Sequence, residues 1–379
     1  MAKSKQATGK MSMADIRKLI NKKAGRDVAH NLQEENPTDV KQWIPTGSRW
    51  LDSIIATGKL AGIPVGKYTE IAGLEGSGKS YLAAGIAANA QKLGLSVVYF
   101  DSESAIDSQF LERAGCNLDD LMYVQAESVE FVLETIEQLL IHDNQWLFIW
   151  DSLAFTPSIS DIEGDFNPQS SMAVKPRILA KGLSKLTVPI ANANATLLIL
   201  NQLKTNIART PQEAMTTPYV TPGGKAAQYA YSLRIWLTKP KGKATFITDE
   251  NKFRIGSTAR VKLEKSRFGT TGRRCEFQIL WGAGLYGVQD EESWLDAIKN
   301  SDRINQSGAW YTLTSDDGDR MKFQRSQWLD KLQEETFRQA VFSAMDEHVI
   351  MKFKDRVGTA SDFYGDDDEE VAEGATTEE

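Results

Sequence analysis

Between the apolar run "YTEIAG" and the helical stretch "KSYLAAGIAANAQKLG" lies Gly73-Leu74-Glu75-Gly76-Ser77-Gly78-Lys79-Ser80, which satisfies G-x-x-x-x-G-K-[ST]. Only a glycine-rich turn lets backbone N–H groups close around phosphate oxygens, and the helix that follows adds the positive end of its dipole. Such a turn must connect a strand to a helix, and both are written here on either side of it. This predicts an α/β fold, a mostly parallel sheet with helices on both faces. Lys79 is placed to reach the β and γ phosphates and the Ser80 hydroxyl to bind Mg²⁺, so residues 73–81, Tyr81 included, form the candidate ATP cradle.

The rest of the chain fits that plan. "LSVVYFDSE", "WLFIWDS" and "TLLILNQ" read as buried strands, with helices at about 128–142 and 172–193 between them. "YSLRIWLTK", "STARVKLEK" and "CEFQILWG" read as an antiparallel extension. Pro176 is expected to kink its helix or delay its start. The expected layout is a basic arm with a short helix over 1–45, an ATPase core over 46–288, a small C-terminal α/β domain, mostly helical in its pattern, over 289–352, and an acidic tail over 353–379. "SQWLDKLQEETFRQAVFSAMDEH" is the clearest helix of that C-terminal domain. Near the N-terminus, "SMADIRKLINKKAG" reads as a helix with Ser12 and Asp15 as a capping box and Gly25 as its stop. Its apolar face (Met13, Ile16, Leu19, Ile20) needs a partner, because so short a helix is marginal alone.

In a parallel sheet, the carboxyl ends of neighbouring strands open onto one crevice. Asp151, closing "WLFIW", is placed to hold Mg²⁺ through water, and Glu103 to accept the proton of a water attacking the γ-phosphate. Asp101 competes for the second role. Gln202 ends another strand and is placed to sense the γ-phosphate. Behind it, residues 203–224 are rich in Thr, Pro and Gly and show no period. Long loops without structure are rare in compact domains, and one anchored to a phosphate sensor suits a nucleotide switch.

Charge is unevenly distributed. The net charge is −7, yet eight negative charges lie in residues 366–379, and without them the chain stands at about +1. Residues 1–26 carry eight Lys or Arg against Asp15 alone. Such polarity fits nucleic-acid contact, or a tail that competes with it, but on charge alone two merely solvated ends are the plainer reading. Cys116 and Cys275 are too few for a disulfide framework or a four-cysteine zinc site, and no run is long and apolar enough to span a bilayer. These features, and the lack of a secretory signal, lead to the expectation of a cytoplasmic protein.

Taken in order, "TGSRWLDSIIATG", "GLEGSGKS", "FDSESAIDSQFLERAG", "DSLAFTP", "NQ", "TPGGKA", "EFQILWGAG" and "SGAWY" resemble the RecA family of recombinases. "VKLEKSR" joins them, and its run Glu264-Lys265-Ser266-Arg267 leans toward the phage UvsX branch of that family. The resemblance covers about residues 45–313. It implies a DNA-dependent ATPase that filaments on single-stranded DNA and exchanges strands with homologous duplex DNA, using ATP and Mg²⁺. Single-strand-binding and mediator proteins would be accessory partners. By position, it implies Glu103 as base and Gln202 as the link from nucleotide to DNA. Lys265 and Arg267 are implied to reach ATP from the neighbouring subunit, and Asp107, Phe110 and Trp281 to surround adenine. DNA contacts fall to Met172 and Arg177 near a first loop at about 160–172, and to Lys204, Arg209, Gly223, Gly224 and Lys225 in the second. Tyr229 and Arg234 match the subunit interface, and the N-terminal helix matches a polymerisation helix. Two other readings stay open: a ring-forming helicase of the same fold, and an ATP-switched binding assembly without useful hydrolysis.

Overall fold

A computed structural model describes residues 10–352 apart from 35, 37, 165–173, 208, 209, 241–244, 283 and the side chain of 214. The fold is α/β, as expected. Among the described residues a ten-stranded sheet has at its centre the strand Tyr68–Gly73. To one side run Thr196–Gln202, Trp146–Asp151, Ser96–Asp101 and the edge strand Leu121–Gln125, all parallel. On the other side Leu233–Thr238 is parallel too, and beyond it Arg254–Ser266, Arg274–Leu280 and Gly287–Gln289 turn antiparallel.

The near-continuous apolar strands divide their side chains by alternation. Leu147 and Ile149 face the P-loop helix Lys79–Lys92, in a core with Leu82, Ala83 and Ile86. Phe148 and Trp150 face the opposite layer, where Val129–Leu139 and Val174–Asn192 supply Val132, Ile136, Leu179 and Leu183. The sheet register sets Gly73 beside Gln202 and Asp101 beside Asp151, so the chemistry-bearing strand ends share one level.

The N-terminal helix Met13–Ala24 forms as expected, with Ser12 accepting the Asp15 N–H and Gly25 at φ 67°. It buries none of its residues, and Met13, Leu19 and Ile20 are left exposed. Pro176 does not kink its helix. It lies in the first turn of Val174–Asn192, where a missing N–H costs nothing, and the helix runs on past it. The proline inside that helix is Pro189.

Residues 289–352 form the expected small α/β unit, with more strand than their helical pattern suggests. Ile304–Ser307, Trp310–Thr314 and Arg320–Gln324 form a three-stranded antiparallel sheet, turned at Gly308 and Gly318, both of positive φ. Tyr311, Leu313 and Phe323 pack from it toward Trp328 and Phe337. The stretch read as one helix breaks at residues 332–334, between Trp328–Lys331 and Glu335–His348. This unit is tied to the core through Arg49, which pairs with Asp346 at 2.7 Å and lies over the Phe342 ring.

Nearby, two carboxyls are buried together. Asp52 accepts from the Thr46 N–H and hydroxyl, and Asp290 from the Ser48 hydroxyl and the Trp50 N–H. Burial pushes the Asp52 carboxyl from 3.8 up to about 8, with Asp290 adding to the rise against the bonds from Thr46. The folded chain therefore holds a proton that the unfolded chain has released, and stability falls as pH rises from 3.8 to about 8. Asp52→Asn removes this slope, about 1.4 kcal/mol per pH unit at its steepest. Its melting temperature relative to the native protein should accordingly climb between pH 5 and pH 8, as calorimetry can measure. A constant difference would show that Asp52 is ionised in the fold.

Candidate functional site: a phosphate cradle and a second loop

The glycines of the P-loop are demanded by their surroundings. A Cβ at Gly73 would stand 2.3 Å from Ser77 Oγ, and one at Gly78, whose φ is 92°, 2.1 Å from Ile279 Cδ1. Lys79 Nζ folds back onto the carbonyls of Gly73 and Leu74, each at 3.3 Å. Burial lowers its pKa, opposed by Asp151, Glu103 and Glu75. Ser77 Oγ is buried with no hydrogen-bond partner among the described residues. An orphaned hydroxyl beside two positions, 73 and 78, that leave no room for a Cβ fits a phosphate oxygen.

Ser80 Oγ donates to Asp151 Oδ2 at 3.3 Å, and the Tyr99 hydroxyl donates to the same oxygen at 2.9 Å. Burial pushes Asp151 up to about 6, against the Tyr99 bond. No cluster of three or more His, Cys, Asp or Glu that could hold a metal occurs among the described residues. One carboxylate and one hydroxyl suit Mg²⁺, which keeps several waters and shares substrate phosphates.

Glu103 stands exposed at the mouth of the crevice, and its Oε1 accepts the Ser152 hydroxyl at 2.7 Å. Asp101 has a different task. It is buried and accepts the N–H groups of Glu103, Ala105 and Ile106 and the Tyr123 hydroxyl, so it folds the turn that presents Glu103. Ser102 Oγ bonds across to Ser152 and joins the two strand ends.

Tyr81, Phe110 and Trp281 come together, with Tyr81 5.0 Å from Phe110 and 6.0 Å from Trp281 between centroids. Tyr286, which sequence reasoning missed, completes the group at 5.2 Å from Tyr81. It follows a glycine turn and has no periodic signal. Asp107 caps the helix Ser108–Arg113 by accepting the Gln109 N–H.

The second loop is not structureless. Lys204–Thr205 pairs antiparallel with Tyr219–Val220, and Pro211–Thr216 is a short helix whose cap Thr210 accepts the Glu213 N–H. Two-residue strands have no period to detect, but "TPQE" is a helix-start signal in plain sight. Leu203 anchors the hairpin against Ala72 and Trp236, while Ile207 and Met215 project 96% and 85% exposed. Lys204, Lys225 and Arg177 are exposed, and Gly223 and Gly224 have φ of 105° and 77°. Met172, Arg209, most of the first loop, the start of the basic arm and the acidic tail lie outside the described residues.

Arg234 does not stand at a surface. It is buried against Glu70 at 2.6 Å and donates to the Thr221 hydroxyl, while Asn201 donates to Glu70 and to the Pro222 carbonyl. Gln202's neighbour is thus wired to the end of the loop. Tyr229 is 71% exposed.

Lys265 Nζ donates to the carbonyls of Gln228 and Tyr229, and Arg267 to that of Tyr229. These carbonyls end the helix Gly224–Ala230, where cations are favoured. Lys265 sits level with Arg234 and Glu70, toward the amino-terminal end of the parallel strands, while Gly73 and the P-loop stand at the carboxyl end.

The RecA N-terminal domain family matches residues 11–286. Protein RecA of Saccharopolyspora erythraea is 30% identical over 297 residues, covering 78% of this chain and 81% of that protein. Protein RecA of Marinobacter nauticus is 29% identical over the same shares, and that of Pseudomonas fluorescens is 32% identical over 71% of this chain and 72% of its own. With the P-loop, the strand-end carboxylates and the glycine-ended second loop set around one sheet as described, this chain belongs to the RecA family.

Proposed function

We propose that the protein is an ATP-dependent recombinase that assembles as a helical filament on single-stranded DNA and drives homologous pairing and strand exchange. Its Glu264-Lys265-Ser266-Arg267 run favours the phage UvsX branch. The observation that carries this reading is the separation of two half-sites. The cradle, Asp151 and Glu103 lie at one end of the parallel strands, and Lys265 and Arg267 at the other. A head-to-tail neighbour brings the halves together, and a heterologous contact that does not close gives a helix.

In this reading residues 73–80 bind the triphosphate, Ser80 and Asp151 hold Mg²⁺, and the aromatic group of Tyr81, Phe110, Trp281 and Tyr286 packs about the base. Bound Mg²⁺ supplies charge neutralisation on the phosphates. Glu103, fixed by Ser152, removes the proton of the attacking water. Lys265 and Arg267 of the adjoining subunit stabilise charge on the transferred group. Gln202 links the γ-phosphate to the hairpin behind it, and Asn201, Glu70, Arg234 and Thr221 hold that hairpin's far end. Lys204, Arg209, Lys225 and Arg177 give salt-sensitive phosphate contacts, Met172 is a further DNA contact, and Gly223 and Gly224 bring backbone amides against phosphate. Exposed Ile207 and Met215 are suited to lie against bases regardless of sequence.

Electron microscopy of the protein with single-stranded DNA and an unhydrolysable ATP analogue tests the proposal. Open helical filaments are expected. Closed rings would instead favour the helicase reading.

A further inference from the structure

Lys175 is the second residue of the helix Val174–Asn192, and its ammonium is fully engaged. Nζ donates to the carbonyls of Leu153 at 2.7 Å, Ala154 at 3.2 Å and Thr156 at 2.6 Å. An ammonium has three donors, so none is left for a DNA phosphate. The three carbonyls belong to the turn leaving the strand Trp146–Asp151, the strand that ends on the Mg²⁺ carboxylate.

That turn is tied to the catalytic end by further bonds. The Thr156 hydroxyl donates to the Ser152 carbonyl at 3.0 Å and accepts from Trp150 Nε1 at 2.8 Å. Ser152 Oγ holds Glu103, and the Leu153 N–H donates to Leu200 on the strand that ends at Gln202. On its other side the same turn meets the base of the second loop. A Cβ at Gly223 would stand 3.2 Å from Leu153 Cδ2, and one at Gly224 would stand 3.3 Å from Cβ of Pro176, the residue after Lys175. The turn, the helix start and the two glycines therefore form one packed block, with Lys175 as the polar tie inside it.

We propose that Lys175 is a positioning residue that couples the nucleotide end of the site to Gly223 and Gly224 by holding the turn 153–156 in a single arrangement. The proposal rests on the ATP-switched DNA-binding reading given above. Coupling between two sites requires a contiguous element with defined arrangements, and this block is such an element. A lysine suits it because a compact ammonium can point its donors at three converging carbonyls, which the planar fork of an arginine cannot.

The test compares Lys175→Arg and Lys175→Met with the native protein in two measurements. One is ATP turnover with and without single-stranded DNA. The other is the ratio of DNA affinities with an unhydrolysable ATP analogue and with ADP. Coupled sites typically show a factor of about 5 to 150, and in both variants the ratio should fall to about 2 or less. DNA-independent turnover should stay within about 2-fold of native, because Lys175 touches neither the cradle nor Glu103. If Lys175→Arg matches the native ratio while Lys175→Met weakens DNA binding equally with both nucleotides, Lys175 is a phosphate contact and the proposal falls. It falls also if both variants keep the native ratio. Should Lys175→Met not fold, Lys175→Arg, which keeps the charge and the stem, decides alone. A native protein whose DNA affinity ignores the nucleotide would overturn the parent reading itself, a result distinct from the other two.

Discussion

Glu103→Gln should lower DNA-stimulated ATP turnover by about 10²- to 10⁴-fold, the range a positioned general base contributes. Glutamine keeps the shape of the side chain, and its amide oxygen can still accept the Ser152 hydroxyl that now holds Glu103 Oε1 at 2.7 Å. What it loses is the capacity to take a proton. Nucleotide affinity and filament formation should therefore persist, since the cradle and Asp151 are untouched. Asp101 offers no substitute, because its oxygens already accept three backbone N–H groups and a tyrosine hydroxyl. Single-turnover hydrolysis and equilibrium nucleotide binding on the same preparation separate the two effects. Turnover within 10-fold of native would remove Glu103 from the role of base and assign the proton transfer to another group.

The second large effect concerns Lys265 and Arg267, which are proposed to reach the nucleotide of the neighbouring subunit. Replacing both Lys265 and Arg267 by Ala should leave isolated subunits able to bind ATP and should cut filament turnover by about 10³-fold or more, as for other cations supplied in trans. The decisive form of the experiment mixes two inactive proteins. Glu103→Gln subunits retain Lys265 and Arg267, and the double-alanine subunits retain Glu103. In a one-to-one filament about a quarter of the junctions pair an intact Glu103 with an intact basic pair, so about a quarter of native turnover should return. A mixture no more active than its components would place both functions in the same subunit. The double variant should also fray the end of the helix Gly224–Ala230, whose final carbonyls these side chains now cap. Circular dichroism of the unmixed protein accounts for that loss separately.

Much of this was legible in the chain, and the reasons are local. Gly73 to Ser80 needs a strand before it and a helix after it, and the apolar runs through Leu147–Trp150 and Leu197–Leu200 are too continuous for a sheet wet on one face. The short strands and turns were harder. Trp310–Thr314 and Arg320–Gln324 alternate as strands should, yet each has only five residues and lies next to a longer and stronger helical pattern. Leu121–Gln125 escaped notice because an edge strand carries mixed exposure, with Met122 and Tyr123 facing solvent. The hairpin in residues 204–220 escaped because two-residue ladders carry no period.

By itself, then, the sequence determined the fold class, the phosphate cradle and which strand ends bear carboxylates or amides, because those depend on residue type and spacing along one stretch of chain. Only the tertiary structure decided which of two neighbouring acids is exposed, since Asp101 and Glu103 differ not in chemistry but in which backbone groups fold around them. It likewise decided that Arg234 is buried against Glu70, that Tyr286 joins the aromatic group, and that Lys175 spans from one strand's exit to another loop's base. Such pairings bring together residues far apart in the chain, and their partners are chosen by packing rather than by any local pattern.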